Sequence, residues 1–483
     1  MRRCTAALSL VVLASACVDH GFDVPLTAAG GETRLMSRVE VERAADILFV
    51  IDNSGSMAEE QDNLARNASS SADPLSLCNA QGFNRLRQYV DENAQLGPAQ
   101  WPPDHQATYA ECGFIERLML LDNKFHIGVI STDMHDCDSP YSAAGRGSVP
   151  QRGCLQTAPD APALTVLTPE TPDLAARFGG IVRNLGVWGS ALEKGMQAAQ
   201  HFLTPDHDTP AAGTCMLARD CSDDRALFWR RDEVNACGDR VETKLVVIYV
   251  TDEDDCSNDG TIDEAQSGSS ILCYSRPELL TPVAEHARFL TRLKTRPELV
   301  RVAAIAGFSD AGNGLEAMGC RLDEGVHSNV CDPAQGNSVA TCDICINGEP
   351  VCSCHPAIPA ERCQGVEQPA THCCQADPAR RYQALAEAMP LSVRDTLCSD
   401  SYRDTMMEIA DLANRTDVVC LPEAPPAEAV VKLVHADGSE DIVPRASSSS
   451  EGGWTLLDSG HCLGFSGAYL PRPGDRVEVH VPL

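Results

Sequence analysis

Four short apolar runs, each followed by a change of pattern, constrain this chain more than any other feature. They are Asp46–Ile51 (Asp-Ile-Leu-Phe-Val-Ile), Phe125–Ile130, Lys244–Val250 (Lys-Leu-Val-Val-Ile-Tyr-Val) and Val300–Ile305. They are short and β-branched, and they lack the apolar/polar alternation of a half-exposed strand. Such runs suit strands buried on both faces, as parallel strands are. Apolar residues recur at helical spacing over Phe83–Val90, Pro172–Asn184, Ala191–Phe202, Val283–Leu293 and Tyr402–Asn414. Strand and helix in alternation predict an α/β fold, doubly wound, with a mostly parallel sheet and right-handed crossovers. Ligands of such sheets sit at the carboxyl ends of the strands.

Two of those strand ends are acidic. The first run leads into Asp52-Asn53-Ser54-Gly55-Ser56-Met57, and Lys244–Val250 leads into Thr251-Asp252-Glu253-Asp254-Asp255. Both clusters follow buried strands, so both can face one crevice. Carboxylate and hydroxyl oxygens are hard ligands, suited to Mg2+, Mn2+ or Ca2+ rather than to zinc. Serine hydroxyls add little negative charge, so an ion held there keeps its attraction for an incoming acid. The competing reading is structural: Asp and Ser are common turn and N-cap residues, and Ser54 or Ser56 would then cap the following helix. The 252–255 run has two further readings. One is a separate Ca2+ site, although the spacing is not that of an EF-hand loop; the other is a solvated acidic loop.

The D-x-S-x-S turn after the first strand, with Tyr249-Val250-Thr251-Asp252 further on, resembles the von Willebrand factor type A domain and its metal-ion-dependent adhesion site. The resemblance spans roughly residues 44–422, with long insertions. It implies that Ser54 and Ser56 bind the ion directly and that Asp52 and Asp252 act largely through water. One coordination position would stay open for a partner's carboxylate. The family also supplies a threonine from the loop before its third helix. The matching stretch is Leu185-Gly186-Val187-Trp188-Gly189-Ser190, in which Val187 takes the threonine's place and offers no oxygen. Ser190 substitutes if the loop is shifted, or water fills the place; either way the ion binds more weakly or is absent.

The amino terminus and the cysteines bear on the compartment. Arg2 and Arg3 precede an apolar run, Ala6–Ala14, and the small-residue box Ala14-Ser15-Ala16 stands directly before Cys17. Residues 1–16 read as a signal peptide. Cys17 resembles the lipidated cysteine of a bacterial lipobox, although Ala14 stands where leucine is usual, and Val18 resembles the outer-membrane sorting pattern. On that reading residues 17–43 form a lipid-anchored tether of an outer-membrane lipoprotein in the cell envelope. The alternative is plain cleavage, with Cys17 in a disulfide and the protein secreted or periplasmic. No later stretch approaches about 18 uninterrupted apolar residues, so no transmembrane helix is expected.

Twenty-three cysteines fit an oxidising compartment. Spacing suggests the loop staples Cys137–Cys154, Cys256–Cys273 and Cys398–Cys420, and Cys215 or Cys221 with Cys237. A cysteine-rich insertion over about 320–375 has little apolar content and needs covalent staples. Its Cys342-x-x-Cys345 and Cys352-x-Cys354-His355 do not make a regular zinc pattern. After the break Leu421-Pro422-Glu423-Ala424-Pro425-Pro426, short alternating runs separated by turns predict a small β domain over 423–483.

Sixty-nine acids against 38 bases give a formal charge of -31. That excludes the basic face a nucleic-acid partner needs and leaves a lipid anchor as the one route to a membrane. No G-x-S-x-G, H-E-x-x-H, Walker A or G-x-G-x-x-G in context is present, and no small-molecule cofactor is implied. The expected role is therefore a binding module for a protein or extracellular matrix ligand rather than an enzyme. A structural envelope protein with a degenerate metal site is the alternative, and a metal-assisted hydrolase a more remote one.

Overall fold

In a computed structural model, the described residues are most of 33–134, 153–204, 222–308 and 379–482, with short strands at 316–317, 320–321, 344–346 and 349–351. The signal segment, Cys17 and nearly all of the cysteine-rich insertion lie outside them.

The centre is a five-stranded, all-parallel sheet. Its strands are β2 (Ala44–Ile51), β3 (Lys124–Ser131), β4 (Lys244–Val250), β5 (Val300–Ala306) and β6 (Ser392–Thr396). Their spatial order is β6-β5-β4-β2-β3. The chain thus moves outward from β2 to β3, returns, and then moves outward the other way through β4, β5 and β6. The direction of winding reverses between β2 and β4, the kind of switch point at which α/β sheets open a crevice. The α/β, doubly wound expectation holds, and the four expected strands fall within two residues of their observed limits.

Both faces of the sheet are covered, which is why its strands read as continuous apolar runs. On one face Ala45, Ile47, Phe49 and Ile51 of β2, with Val246, Ile248 and Val250 of β4, pack under four helices. These are α1 (Ala58–Asn67), α4 (Phe114–Leu120), α5 (Leu174–Asn184) and α10 (Arg403–Asn414). On the other face Leu48, Val50, Leu245, Val247 and Tyr249 pack under α6 (Gly195–Leu203), α7 (Ser222–Phe228), α8 (Val283–Thr291) and α9 (Arg380–Ala388).

An insertion between α1 and α4 carries α2 (Ala80–Glu92) and α3 (Pro103–Ala110) with a small core of its own around Leu86, Trp101 and Tyr109. Asn79 caps α2 by accepting from Gln81 N and Gly82 N, and the disulfide Cys78–Cys112 closes the insertion. At the amino ends of the strands a buried ion pair links distant segments. Asp46 Oδ1 accepts from Arg230 Nε at 2.7 Å, and Lys294 Nζ stands 3.8 Å from Asp46 Oδ2.

Two antiparallel sheets form a second layer system with a shared core that includes Val431, Trp454, Phe465, Val477 and Val479. One has the order β1-β12-β8-β9, the other β7-β11-β10. Here β1 is Thr33–Glu40, β7 Val418–Cys420, β8 Val430–Val434, β9 Glu440–Val443, β10 Gly453–Leu456, β11 Cys462–Ser466 and β12 Arg476–Pro482.

Residues 33–40, inside the stretch 17–43 expected to act as a tether, therefore form a strand. β1 pairs with β12 from Thr33↔Pro482 to Glu40↔Arg476, and Arg38 bridges to Glu478 at 2.9 Å. A strand whose partner lies 440 positions away carries no local turn signal. The chain on the amino side of residue 423 likewise contributes β7 to this β system.

Candidate metal centre

β2 and β4 are neighbours in register, Ile51 opposite Val250, so the residues that follow them leave the sheet side by side. Asp52 N donates to Val250 O at 2.9 Å, which carries the ladder one step past β2. The Asp52 and Asp252 side chains meet within hydrogen-bonding reach across the switch point. Both are buried. Asp52 Oδ1 accepts from Ser54 N at 2.7 Å, and Asp52 Oδ2 accepts from Thr251 Oγ1 at 2.8 Å. Burial pushes the Asp52 carboxyl above its ordinary range, against the pull of these hydrogen bonds.

Among the described residues, no serine of the turn caps the helix. α1 begins after Met57 with no side-chain cap, and Ser54 contributes a side-chain hydrogen bond to Asp52 instead. Ser56 lies outside the described residues.

The loop before α6 docks onto this turn. Gly189 N donates to Asn53 O at 2.8 Å, and Gln61 Nε2 on α1 donates to both Asp52 O and Gly186 O at 3.0 Å. A Cβ at Gly189 would stand 2.4 Å from Asn53 Oδ1, so any larger residue here would have to displace the Asn53 side chain. Ser190 follows the contact, fully buried, with Oγ accepting from Leu192 N at 3.0 Å. Val187 lies on the other side of the contact and is partly exposed.

The acidic run after β4 is not a solvated loop. Asp252, Asp254 and Asp255 are all buried. Asp255 accepts from Met196 N (2.9 Å) and Ser257 Oγ (2.7 Å), and its other oxygen faces the Arg381 guanidinium at 3.0–3.1 Å. Asp254 accepts from Arg381 N at 2.9 Å, and burial raises its carboxyl to about 7. These two acids tie the β4 loop to the amino ends of α6 and α9. The sequence could not show it, because Arg381 is 126 positions from Asp255.

Three further groups stand beside the D-x-S-x-S turn, of which only Thr251 belongs to the acidic stretches singled out in the sequence. Thr251 bonds Asp52. Thr132, which follows β3, reaches β2 by donating its amide to Ile51 O at 3.2 Å. Glu193, in the loop before α6, accepts the Thr132 hydroxyl on Oε2. Glu193 is fully buried, and its carboxyl is pushed well above the ordinary range by burial first, then by the charges of Asp52, Glu253 and Asp133.

A hard cation fits Asp52 on one observation. Two other buried acids have a cationic side chain against them: Asp46 has Arg230 and Lys294, and Asp255 has Arg381. No such bond reaches Asp52 among the described residues, where its neighbours are hydroxyls, an amide and a second carboxyl. Among the described residues no three His, Cys, Asp or Glu side chains are grouped to hold an ion by themselves. A site here needs its hydroxyls.

Of the expected disulfides, Cys256–Cys273 is present. Cys154 is disulfide-bonded, while Cys137 lies outside the described residues. The pairing Cys398–Cys420 falls outside as well, since Cys398 is not described. Cys78–Cys112 is a bridge that spacing did not suggest. Among the described residues no helix is long and apolar enough to cross a membrane. No protein-family model matches the chain, and no curated protein matches it significantly.

Proposed function

We propose that residues 44–422 carry a von Willebrand factor type A-like binding module with a weak site for Mg2+, Mn2+ or Ca2+. Asp52, Ser54, Ser56, Asp252 and Ser190 supply its oxygens. The module engages a protein or extracellular matrix ligand whose carboxylate completes the site. Lipidation of Cys17 would hold it at the outer membrane of a bacterial cell envelope; without lipidation it is secreted or periplasmic. The reading is carried by one observation. Two aspartates from adjacent strand ends meet, buried, across the point where the sheet reverses its winding, and the D-x-S-x-S turn places a serine hydroxyl on one of them.

The test is thermal melting against divalent ion. Ligand binding to the folded form stabilises by RT ln(1 + [L]/Kd), about 2.7 kcal/mol at 100-fold excess over Kd. Millimolar Mn2+ or Mg2+ should raise the Tm of the native chain, and Asp52→Ala should remove the rise. Mn2+-dependent crosslinking to envelope proteins would then identify the ligand.

A second reading has its own support. Asp52 already has a hydrogen bond on each oxygen, from Ser54 N and Thr251 Oγ1, so the turn is satisfied without an ion. A melting temperature indifferent to divalent ions would leave the structural envelope protein as the function.

A further inference from the structure

Glu193 is a buried acid held in place among acids. Its Oε2 accepts the Thr132 hydroxyl, and its Oε1 has no hydrogen-bond partner. The largest charge effects on it come from Asp52, Glu253 and Asp133, all of its own sign. The backbone gives it no retreat. Glu193 O accepts from Cys256 N at 2.6 Å on the β4 side, and Lys194 N donates to Thr132 O at 3.2 Å on the β3 side. Asp46 and Asp255, buried to the same degree, each face a guanidinium. A carboxylate in this setting destabilises the fold unless a positive charge stands near it.

The position of Thr132 connects Glu193 to the cation site. Ile51 and Ser131 are partners in the parallel ladder, so Asp52 and Thr132 leave neighbouring strands at the same level. Thr132 commits its hydrogen to Glu193, which leaves its oxygen lone pairs for another donor or for an ion's water. Because no three acidic side chains are grouped tightly enough to ligate an ion, Glu193 acts at one remove.

We propose that Glu193 is a positioning residue for the cation held by Asp52 and Asp252: it supplies compensating negative charge from the β3 side and orients the Thr132 hydroxyl, without itself being a ligand. The proposal rests on the cation reading above. Outer partners of this kind typically change metal affinity about 10–100-fold.

The experiment uses the full chain and Mn2+ alone. Tm is followed through an Mn2+ titration for the wild type, Glu193→Gln and Glu193→Asp. Glu193→Gln keeps an oxygen for Thr132 and removes the charge. It should shift the Mn2+ midpoint upward about 10–100-fold. Glu193→Asp keeps the charge and should retain most of the response; it also serves if the Gln variant fails to fold. A wild type with no Mn2+ response sinks the cation reading, and this proposal with it. A wild type that responds, with a Gln variant of unchanged midpoint, sinks this proposal alone and leaves Glu193 a structural hydrogen-bond acceptor.

Discussion

Thr251 Oγ1 donates to Asp52 Oδ2 at 2.8 Å and accepts from Glu253 N at 3.1 Å, so one hydroxyl joins the ends of β2 and β4. Both strands enter this contact from the buried centre of the sheet. The bond holds the Asp52 side chain against the end of β4.

Thr251→Val removes that hydroxyl at nearly constant shape. Asp52, fully buried, then lacks one donor, and the part-buried Glu253 N lacks one acceptor. Leaving buried polar groups unmet costs about 1–3 kcal/mol. Urea denaturation should show a loss of that size, and the Mn2+ response should weaken because Asp52 is no longer held. Unchanged stability would mean that water replaces the hydroxyl at no cost.

Arg230→Ala addresses the opposite pole of the sheet. Arg230 gives Asp46 bonds from its Nε at 2.7 Å and its own backbone N at 3.0 Å. Burial raises the Asp46 carboxyl even with Arg230 and Lys294 present. Removing one partner of a buried ion pair costs about 3–5 kcal/mol. Asp46→Asn combined with Arg230→Met should recover part of the loss, since the stranded charge is gone. A single-variant loss under 1 kcal/mol, about the value of an exposed pair, would show that Lys294 alone neutralises Asp46.

The strands were legible because burial on both faces writes itself into sequence as an unbroken apolar run, and the turn after β2 was legible from its spacing. What failed to register was whatever depends on a distant partner. β6 (Ser-Val-Arg-Asp-Thr) is a mixed-polarity edge strand with alternating exposure, and its composition reads as loop. β1 needs β12, at the other end of the chain. Asp254 and Asp255 looked like solvated charge because their counter-ion, Arg381, sits on another helix. Glu193 falls inside the helical spacing of Ala191–Phe202, whereas the helix begins only at Gly195. One sign was available: Glu193 stands a few residues from Gly189 and Ser190, in the loop already suspected of meeting the Asp52 turn.

Asp254 makes stability depend on pH. Its carboxyl is raised from 3.8 to about 7, first by burial, with Asp255 adding to the rise and Arg381 opposing it. Between those values the folded chain keeps a proton that the unfolded chain has released. Stability contributed by this group is therefore full below about pH 4 and falls as pH rises through about 7. The total is on the order of 4 kcal/mol at about 1.4 kcal/mol per unit. Asp254→Asn cannot ionise, so the difference in unfolding free energy between variant and wild type should shift in the variant's favour from pH 4.5 to 7.5. A constant difference across that range would mean that Asp254 is ionised in the fold, neutralised by Arg381.

The loop before α6 separates two alignments of the candidate site. Spacing put Val187 in the place of a hydroxyl ligand and kept Ser190 as the substitute. Contact with the Asp52 turn is made by Gly189, through its amide to Asn53 O, and the fully buried neighbour of that contact is Ser190. Ser190→Ala should cost about 1 kcal/mol, because Leu192 N loses its acceptor. It should also move the Mn2+ midpoint upward, an effect separable from the stability loss by comparing each variant with its own ion-free Tm. Val187→Thr should leave the midpoint where it is, because Val187 is partly exposed and the contact with the Asp52 turn is made by Gly189. The reverse pattern, tightening by Val187→Thr with no effect of Ser190→Ala, would restore Val187 to the ligand's place and make this loop a degenerate arm of the site.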